Sequence, residues 1–206
     1  MTLQGKTVAV VGGGSGIGKA VARGALAAGA EVIVSSRDAG KLAAAVDAFG
    51  AGAAILVDMT DAGSVAAWAE SAPRLDHLVI SASSAAHGRF EALPEADLRR
   101  MFDAKFFGPY ALARAALARL RPGGSITFFS GVLSRRPGMN CSGLGAVNGA
   151  VEALTRGLAL ELGPDLRVNC VSPGMVRSEA YAGMPAEARR AMYAATGASL
   201  PAGRVG

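Results

Sequence analysis

The sequence predicts an α/β protein built on a doubly wound parallel sheet, and three observations carry that expectation. Short β-branched apolar runs recur along the chain, separated by helix-length segments, which is the pattern of successive βαβ units. The first run, Thr7–Val11, has no polar alternation, as in a strand covered on both faces. It breaks directly into Gly12-Gly13-Gly14-Ser15-Gly16-Ile17-Gly18, after which a helical pattern begins at Lys19.

The remaining elements follow in order. The first helix ends near Ala28-Gly29, and Glu31–Ser36 (EVIVSS) is a second strand. Asp38 is placed to cap a helix over residues 41–49. Residues 53–57 form a third strand stopped at Asp58, and 61–71 form a capped helix. Residues 75–82 are a fourth strand. Pro94 opens a long helical region that reaches Leu120, with a break expected at Gly108-Pro109 because proline removes a donor. Pro122-Gly123-Gly124 closes it, and 125–130 (SITFFS) is a fifth strand. A helix over 147–162 stops at Gly163-Pro164, 166–171 is a sixth strand, and Ser172-Pro173-Gly174 turns out of it. Parallel crossovers of this kind give the expected strand order 3-2-1-4-5-6, with a ligand at the carboxyl edge where strands 1 and 4 part.

Composition narrows the classes of function. A chain of 206 residues with no linker or low-complexity tract reads as one domain, 1–206. Hydrophobic residues make up 51%, yet no apolar run reaches the roughly 18–20 residues that span a bilayer. The N-terminus lacks a signal-peptide pattern, so a cytoplasmic protein without a membrane partner is expected. The net charge is +5, but the arginines are scattered and aromatics are only 5%, which argues against a nucleic-acid partner. Cys141 and Cys170 show no metal or redox spacing and are expected as free thiols. His77 and His87 have no acidic or cysteine partner in sequence, so neither a metal site nor a nucleophilic triad is expected.

A strand, a glycine turn and a helix N-terminus together collect a phosphate, because the backbone can approach closely and free N–H groups face the anion. Three glycine codes can be separated. G-x-G-x-x-G fails, since Ile17 stands where the last glycine is required. The P-loop code fits through Gly13, Gly18 and Lys19 but fails at Ala20, which has no hydroxyl for Mg²⁺. G-x-x-x-G-x-G fits at Gly12, Gly16 and Gly18. With Ile17 inside it, that spacing resembles the short-chain dehydrogenase/reductase family, which implies a Rossmann-type sheet and a nicotinamide cofactor.

The end of the second strand selects the cofactor. A carboxylate there would hold a ribose 2′-hydroxyl, whereas this chain has Ser35, Ser36 and Arg37. A guanidinium beside hydroxyls suits a 2′-phosphate, so NADP(H) is expected. The resemblance extends over nearly the whole chain. Asp58, with Met59 beside it, resembles the family's adenine-facing aspartate. Asp76-His77-Leu78-Val79 is similar to the D-x-L-V strand, although Ile80-Ser81-Ala82-Ser83 replaces the usual N-N-A-G. Pro173-Gly174-Met175-Val176-Arg177-Ser178 resembles P-G-x-V-x-T, the loop that covers the nicotinamide. The cofactor set implied is Gly12, Gly14, Ser15, Gly16, Ile17, Gly18, Ser36, Arg37, Asp58, Met59, Ala82, Ser83, Asn148, Pro173, Gly174, Val176 and Ser178.

The catalytic positions depart from the family pattern. The stretch 150–162 (AVEALTRGLALEL) resembles the helix after the family's Y-x-x-x-K, which places Leu144 at the tyrosine and Asn148 at the lysine. The family's serine falls on Gly131, beside Ser130, and its helix asparagine falls on Lys105 in DAKFFG. Carbonyl reduction needs a proton donor such as a phenol, and Leu144 has none. The residues left to act are Ser130 as a hydrogen-bond donor to substrate, Lys105 as proton source or oxyanion stabiliser, and Asn148 toward the nicotinamide ribose. Cys141, Ser142, Tyr181 and Tyr193 lie within reach of such a pocket. The expectation is an NADP(H)-dependent oxidoreductase that passes hydride to a small carbonyl, enone or imine. The alternative is a cofactor-binding protein without redox activity, acting as a sensor, a scaffold or a non-redox enzyme. Residues 177–200 are read as the substrate loop. Similar proteins continue with a helix and a seventh strand carrying D-G-G, so this chain is expected to be truncated at its C-terminus. A homodimer or homotetramer is implied.

Overall fold

Six strands, β1 (Thr7–Val11), β2 (Glu31–Ser36), β3 (Ala53–Leu56), β4 (Leu75–Ile80), β5 (Leu120–Phe129) and β6 (Arg167–Val171), form one sheet. The computed structural model describes residues 2–50, 52–81 and 84–206. The strand order is β3-β2-β1-β4-β5-β6 and every pairing is parallel, as the sequence predicts. In β1, Val8 pairs with Val32 on one side and His77 on the other, so this strand is central. The winding direction reverses there, and the carboxyl ends of β1 and β4 part to leave the crevice of a doubly wound sheet.

Helices cover both faces: α1 (Gly16–Ala27), α2 (Ala39–Phe49), α3 (Ala62–Ser71), α4 (Glu95–Phe102), α5 (Gly108–Ala116), α6 (Ser142–Glu161) and α7 (Ala186–Ala198). Alternation along β1 divides the core. Val8 and Val10 pack with Ala22, Ala25 and Leu42 from α1 and α2. Ala9 and Val11 pack with Trp68, Leu112 and Val151 from α3, α5 and α6. An apolar strand with both faces buried is therefore the expected outcome of its composition.

Several boundaries differ from the sequence expectation for identifiable reasons. Helix α1 starts at Gly16 instead of Lys19, because the end of the glycine turn already winds helically. Helix α6 starts at Ser142, five residues early, where Gly143 and Gly145 obscure the apolar period. No break occurs at Gly108-Pro109. A π-helical turn, Asp103–Phe107, joins α4 to α5 and leaves Pro109 in the first turn of α5. In a regular helix the proline ring would strike the carbonyl four residues back, that of Lys105, and the widened turn removes that clash. Strand β5 begins at Leu120, opposite Leu75, bulges through Pro122-Gly123-Gly124, and resumes with Ser125 opposite His77. Strand β4 ends at Ile80, two residues short of the expected boundary. The segment 177–200 is not a plain loop, since it contains a 3₁₀ turn, Glu179–Tyr181, and most of its remainder is α7.

At the end of the sheet away from the crevice, Asp76 is buried and accepts from the Thr7 N–H and the Lys6 ammonium, each at 3.0 Å, and from Arg121 at 2.9 Å. Burial alone would raise its carboxyl pKa, but those partners hold it below the usual aspartate range. Lys6 and Arg121 are half exposed and add little. The buried Thr7 N–H carries the cost of removal, so Asp76→Ala is expected to destabilise the fold by about 1–3 kcal/mol. Because the folded pKa is the lower one, this stabilisation is present above the ordinary aspartate value and lost as pH falls through the folded value. Urea midpoints across that acid range should decline more steeply for wild type than for the variant. Equal slopes would refute the assignment.

Candidate nucleotide and catalytic site

The glycine turn lies at the carboxyl end of β1. Gly12 and Gly16 occupy the left-handed region, with φ of +85° and +55°, which side-chain-bearing residues avoid. Gly18 is required by space: a Cβ there would stand 2.3 Å from both the Gly12 carbonyl oxygen and Ser81 Oγ. Packing α1 this tightly aims its first-turn N–H groups, which have no partner within the helix, at the crevice. Ser15 is the extended N-cap, and its side chain makes no capping bond. The Gly16 N–H donates to Glu179 Oε2 at 2.8 Å, so an anionic oxygen already lies on the donor that a phosphate would use. A Cβ on Gly16 would lie 3.7 Å from Ser178 Cβ, which puts the post-β6 segment directly over the turn.

At the end of β2, Ser35 is fully buried and accepts from the Trp68 indole N–H at 2.9 Å, so its hydroxyl faces the core. Ser36 Oγ accepts from the Asp38 N–H at 3.0 Å, and Asp38 caps α2 through the Lys41 N–H, as expected. Arg37 is exposed and makes no ion pair among the described residues. Asp58 Oδ1 accepts from the Thr60 hydroxyl at 2.7 Å and the Thr60 N–H at 2.9 Å. The Thr60 hydroxyl above all holds its pKa below the usual range, and the nearby Arg37 charge adds to this. Met59 turns inward and packs under Gly108, whose Cβ would meet Met59 Cβ at 2.9 Å. Ala82 and Ser83 lie outside the described residues.

The positions aligned with the catalytic set converge where β5, the π-helical turn and α6 meet. Lys105, at the centre of that turn, is 9% exposed. Its Nζ donates to the Ser130 carbonyl at 2.9 Å. Desolvation lowers its pKa to about 8, against the opposing influence of Cys170. Lys105 thus does not reach solvent. Ser130 is also buried, and its hydroxyl donates to Glu152 Oε1 at 3.0 Å. In this arrangement the proton expected to serve a substrate oxygen lies on Glu152.

Glu152 was not legible as a site residue. Its Oε1 also accepts from Ser134 Oγ at 2.6 Å and Ser172 Oγ at 3.3 Å, and its Oε2 from Arg135 Nε at 3.2 Å. The Ser134 bond is the largest influence holding this buried carboxyl below the usual glutamate range. The loops after β5 and β6 are stitched together here, with further bonds from Ser130 N to the Val171 carbonyl (2.9 Å) and Val132 N to the Pro173 carbonyl (3.0 Å). One sequence signal could have found Glu152: Asn148, Glu152 and Thr155 place polar groups at i, i+4 and i+7 on the apolar face of α6.

Asn148 is 1% exposed, and its Oδ1 has no partner among the described residues. Its amide nitrogen lies against Gly131, where an added Cβ would stand 2.8 Å away. Gly131 has φ of 177°, which any residue adopts, so glycine here makes room and relieves no strain. Leu144 packs into an apolar cluster with Met101 and Val147. Of the other residues within reach, Tyr181 and Tyr193 pack edge to face at 5.7 Å, with the Arg177 guanidinium 5.7 Å from the Tyr193 ring. The Cys141 thiol donates to the Met139 carbonyl, and both cysteines are free. No helix among the described residues is long and apolar enough to cross a membrane.

Comparison with known proteins accords with this geometry. Residues 11–206 match the family described as enoyl-(acyl carrier protein) reductase. The chain is 32% identical to the short-chain dehydrogenase/reductase ATR9 of Stachybotrys chlorohalonatus, covering 100% of this chain and 87% of that protein. It is also 32% identical to L-fucose dehydrogenase of Rattus norvegicus, covering 84% of this chain and 67% of that protein. Among solved structures, a small-chain dehydrogenase in complex with NADPH superposes with a TM-score of 0.85 at 37% identity, covering 98% of this chain and 84% of the other. A short-chain dehydrogenase/reductase from Mycobacterium ulcerans superposes with a TM-score of 0.89 at 29% identity, covering 100% and 80%. By fold, glycine turn and relatedness along nearly its whole length, the chain belongs to the short-chain dehydrogenase/reductase family.

Proposed function

We propose that the chain is an NADP(H)-dependent oxidoreductase that reduces a small carbonyl, enone or imine through a site without a phenol. The observation that carries this reading is the carboxylate oxygen seated on the Gly16 N–H at 2.8 Å, because that donor set suits a phosphate equally well. Gly12, Gly14, Ser15, Gly16, Ile17 and Gly18 would hold the pyrophosphate, and Ser36 and Arg37 the 2′-phosphate. Asp58, whose Oδ2 has no hydrogen-bond partner among the described residues, and Met59 would border the adenine. Asn148 Oδ1, a buried acceptor lacking a donor among the described residues, suits a ribose hydroxyl. Pro173, Gly174, Val176 and Ser178 would cover the nicotinamide. NADPH, when bound, supplies a hydride. The chain's part is to neutralise the substrate oxygen or nitrogen as the C=X electron pair moves onto it, and Lys105 is the cation at hand. Residues 177–200 would shape the substrate pocket within a single cytoplasmic domain.

The NADPH-bound neighbour supports the choice of cofactor. A fluorescence titration tests it directly: Arg37→Ala should weaken NADPH binding by about tenfold and leave NADH binding within about twofold. Unchanged NADPH affinity would remove the argument for the phosphate. The second reading, cofactor binding without redox chemistry, is favoured by the burial of Leu144 in an apolar cluster. Consumption of NADPH across a panel of ketones, enones and imines separates the two. The homo-oligomer expected from the resemblance is supported by Phe107, Tyr110 and Leu117, exposed along one face of the α5 region.

A further inference from the structure

We propose that Glu179 is a built-in competitor for the phosphate-binding turn, so that one side chain sets how tightly the site takes its cofactor. This rests on the reading of the glycine turn as a nucleotide site. The Gly16 N–H can serve one strong acceptor, and Glu179 Oε2 holds it at 2.8 Å. A pyrophosphate on the same donor must displace that oxygen, and the two anions repel at such range. The contact is not an accident of a loose tail. The backbone carrying Glu179 is fixed by bonds from Arg177 N to the Gly206 carbonyl (2.9 Å) and from Gly206 N to the Met175 carbonyl (3.0 Å). Arg189 adds a bond to the Tyr181 carbonyl at 3.3 Å, and Tyr181 packs on Tyr193. Ser178, within the same segment, lies against the turn. Only the exposed Glu179 side chain has to swing away to release the donor.

The carboxyl is ionised at neutral pH. The backbone N–H of Glu179 itself, then that of Gly16, hold it below the usual glutamate range, and the Lys19 charge one turn along α1 acts in the same sense. An internal anion that occupies the donor for most of the time reduces apparent cofactor affinity by the fraction of time the site is open. Its removal is felt chiefly in the association rate.

The test is an NADPH fluorescence titration, with stopped-flow association, on the full chain and its Glu179→Gln and Glu179→Ala variants. Glu179→Gln keeps the shape and removes the charge, and should bind NADPH about fivefold to tenfold tighter with faster association. Glu179→Ala should do the same. Adenosine 2′-monophosphate can address Arg37 but carries no pyrophosphate, so it should bind wild type and variants equally. NADPH affinity that is unchanged or weaker in both variants overturns the inference while leaving the nucleotide site in place. An equal gain for adenosine 2′-monophosphate also overturns it, since the effect would not be local to the turn. Failure of all three proteins to bind NADPH overturns the nucleotide reading along with it.

Discussion

Replacing Lys105 with methionine is expected to lower NADPH-dependent turnover by about two to three orders of magnitude, with NADPH affinity held within about twofold. The lysine ammonium is enclosed at the meeting of the π-helical turn, β5 and α6, and its one bond among the described residues goes to the Ser130 carbonyl. Two of its three N–H groups therefore remain for a reacting atom. Its pKa of about 8 sets the sign of the pH dependence. Below that value the group is charged and can donate, so reduction should slow as pH rises through about 8, and the methionine variant should lack this limb. Stability runs the opposite way. The unfolded chain binds this proton more tightly, so the fold gains stability as pH rises from about 8 to the ordinary lysine range. Methionine fills similar volume without a buried charge, so thermal melting should not fall sharply and lost turnover can be assigned to chemistry. Full turnover in the variant would discard Lys105 as the acting group.

The second large effect is on stability. Glu152→Ala strips the acceptor from the Ser130, Ser134 and Ser172 hydroxyls and from Arg135. Of these donors only Ser130 is fully buried, while Ser134 also has the Gly131 carbonyl at 3.0 Å and Arg135 is largely exposed, so the loss is about 1–3 kcal/mol, seen as a lower urea midpoint. Glu152→Gln keeps one carbonyl oxygen and should recover about half of that loss. The loops after β5 and β6 lose their shared anchor in the alanine variant, so NADPH binding should weaken as well. A wild-type midpoint for Glu152→Ala would mean that the hydroxyls find other acceptors and that this carboxylate is dispensable.

The sheet was legible because its signals are local and redundant. β1 and β2 are short runs rich in valine and isoleucine, and the turn after β1 needs glycine for both conformation and space. The π-helical turn was legible only as an interruption at Pro109, since a broken helix and a widened turn relieve the same proline clash and DAKFFG does not choose between them. Glu152 was hidden because a single carboxylate within AVEALT reads as a solvated position until its three hydroxyl partners, distant in sequence, are brought to it. Lys105 was recognisable by its alignment, but whether it reached solvent or turned inward depended on the Ser130 carbonyl, which only the fold supplies. The hydroxyl of Ser130 was legible as a donor at a strand end, but its partner in the fold, the internal carboxylate of Glu152, was not.

The contact between Gly131 and Asn148 constrains how this chain can be re-engineered. Any side chain introduced at 131 presses on the buried amide of Asn148, so the two positions form one coupled unit, and substitution effects there will not sum. Attempts to install the family's usual serine must therefore be judged on the paired change. A single-site graft would report steric conflict and say little about lost chemistry.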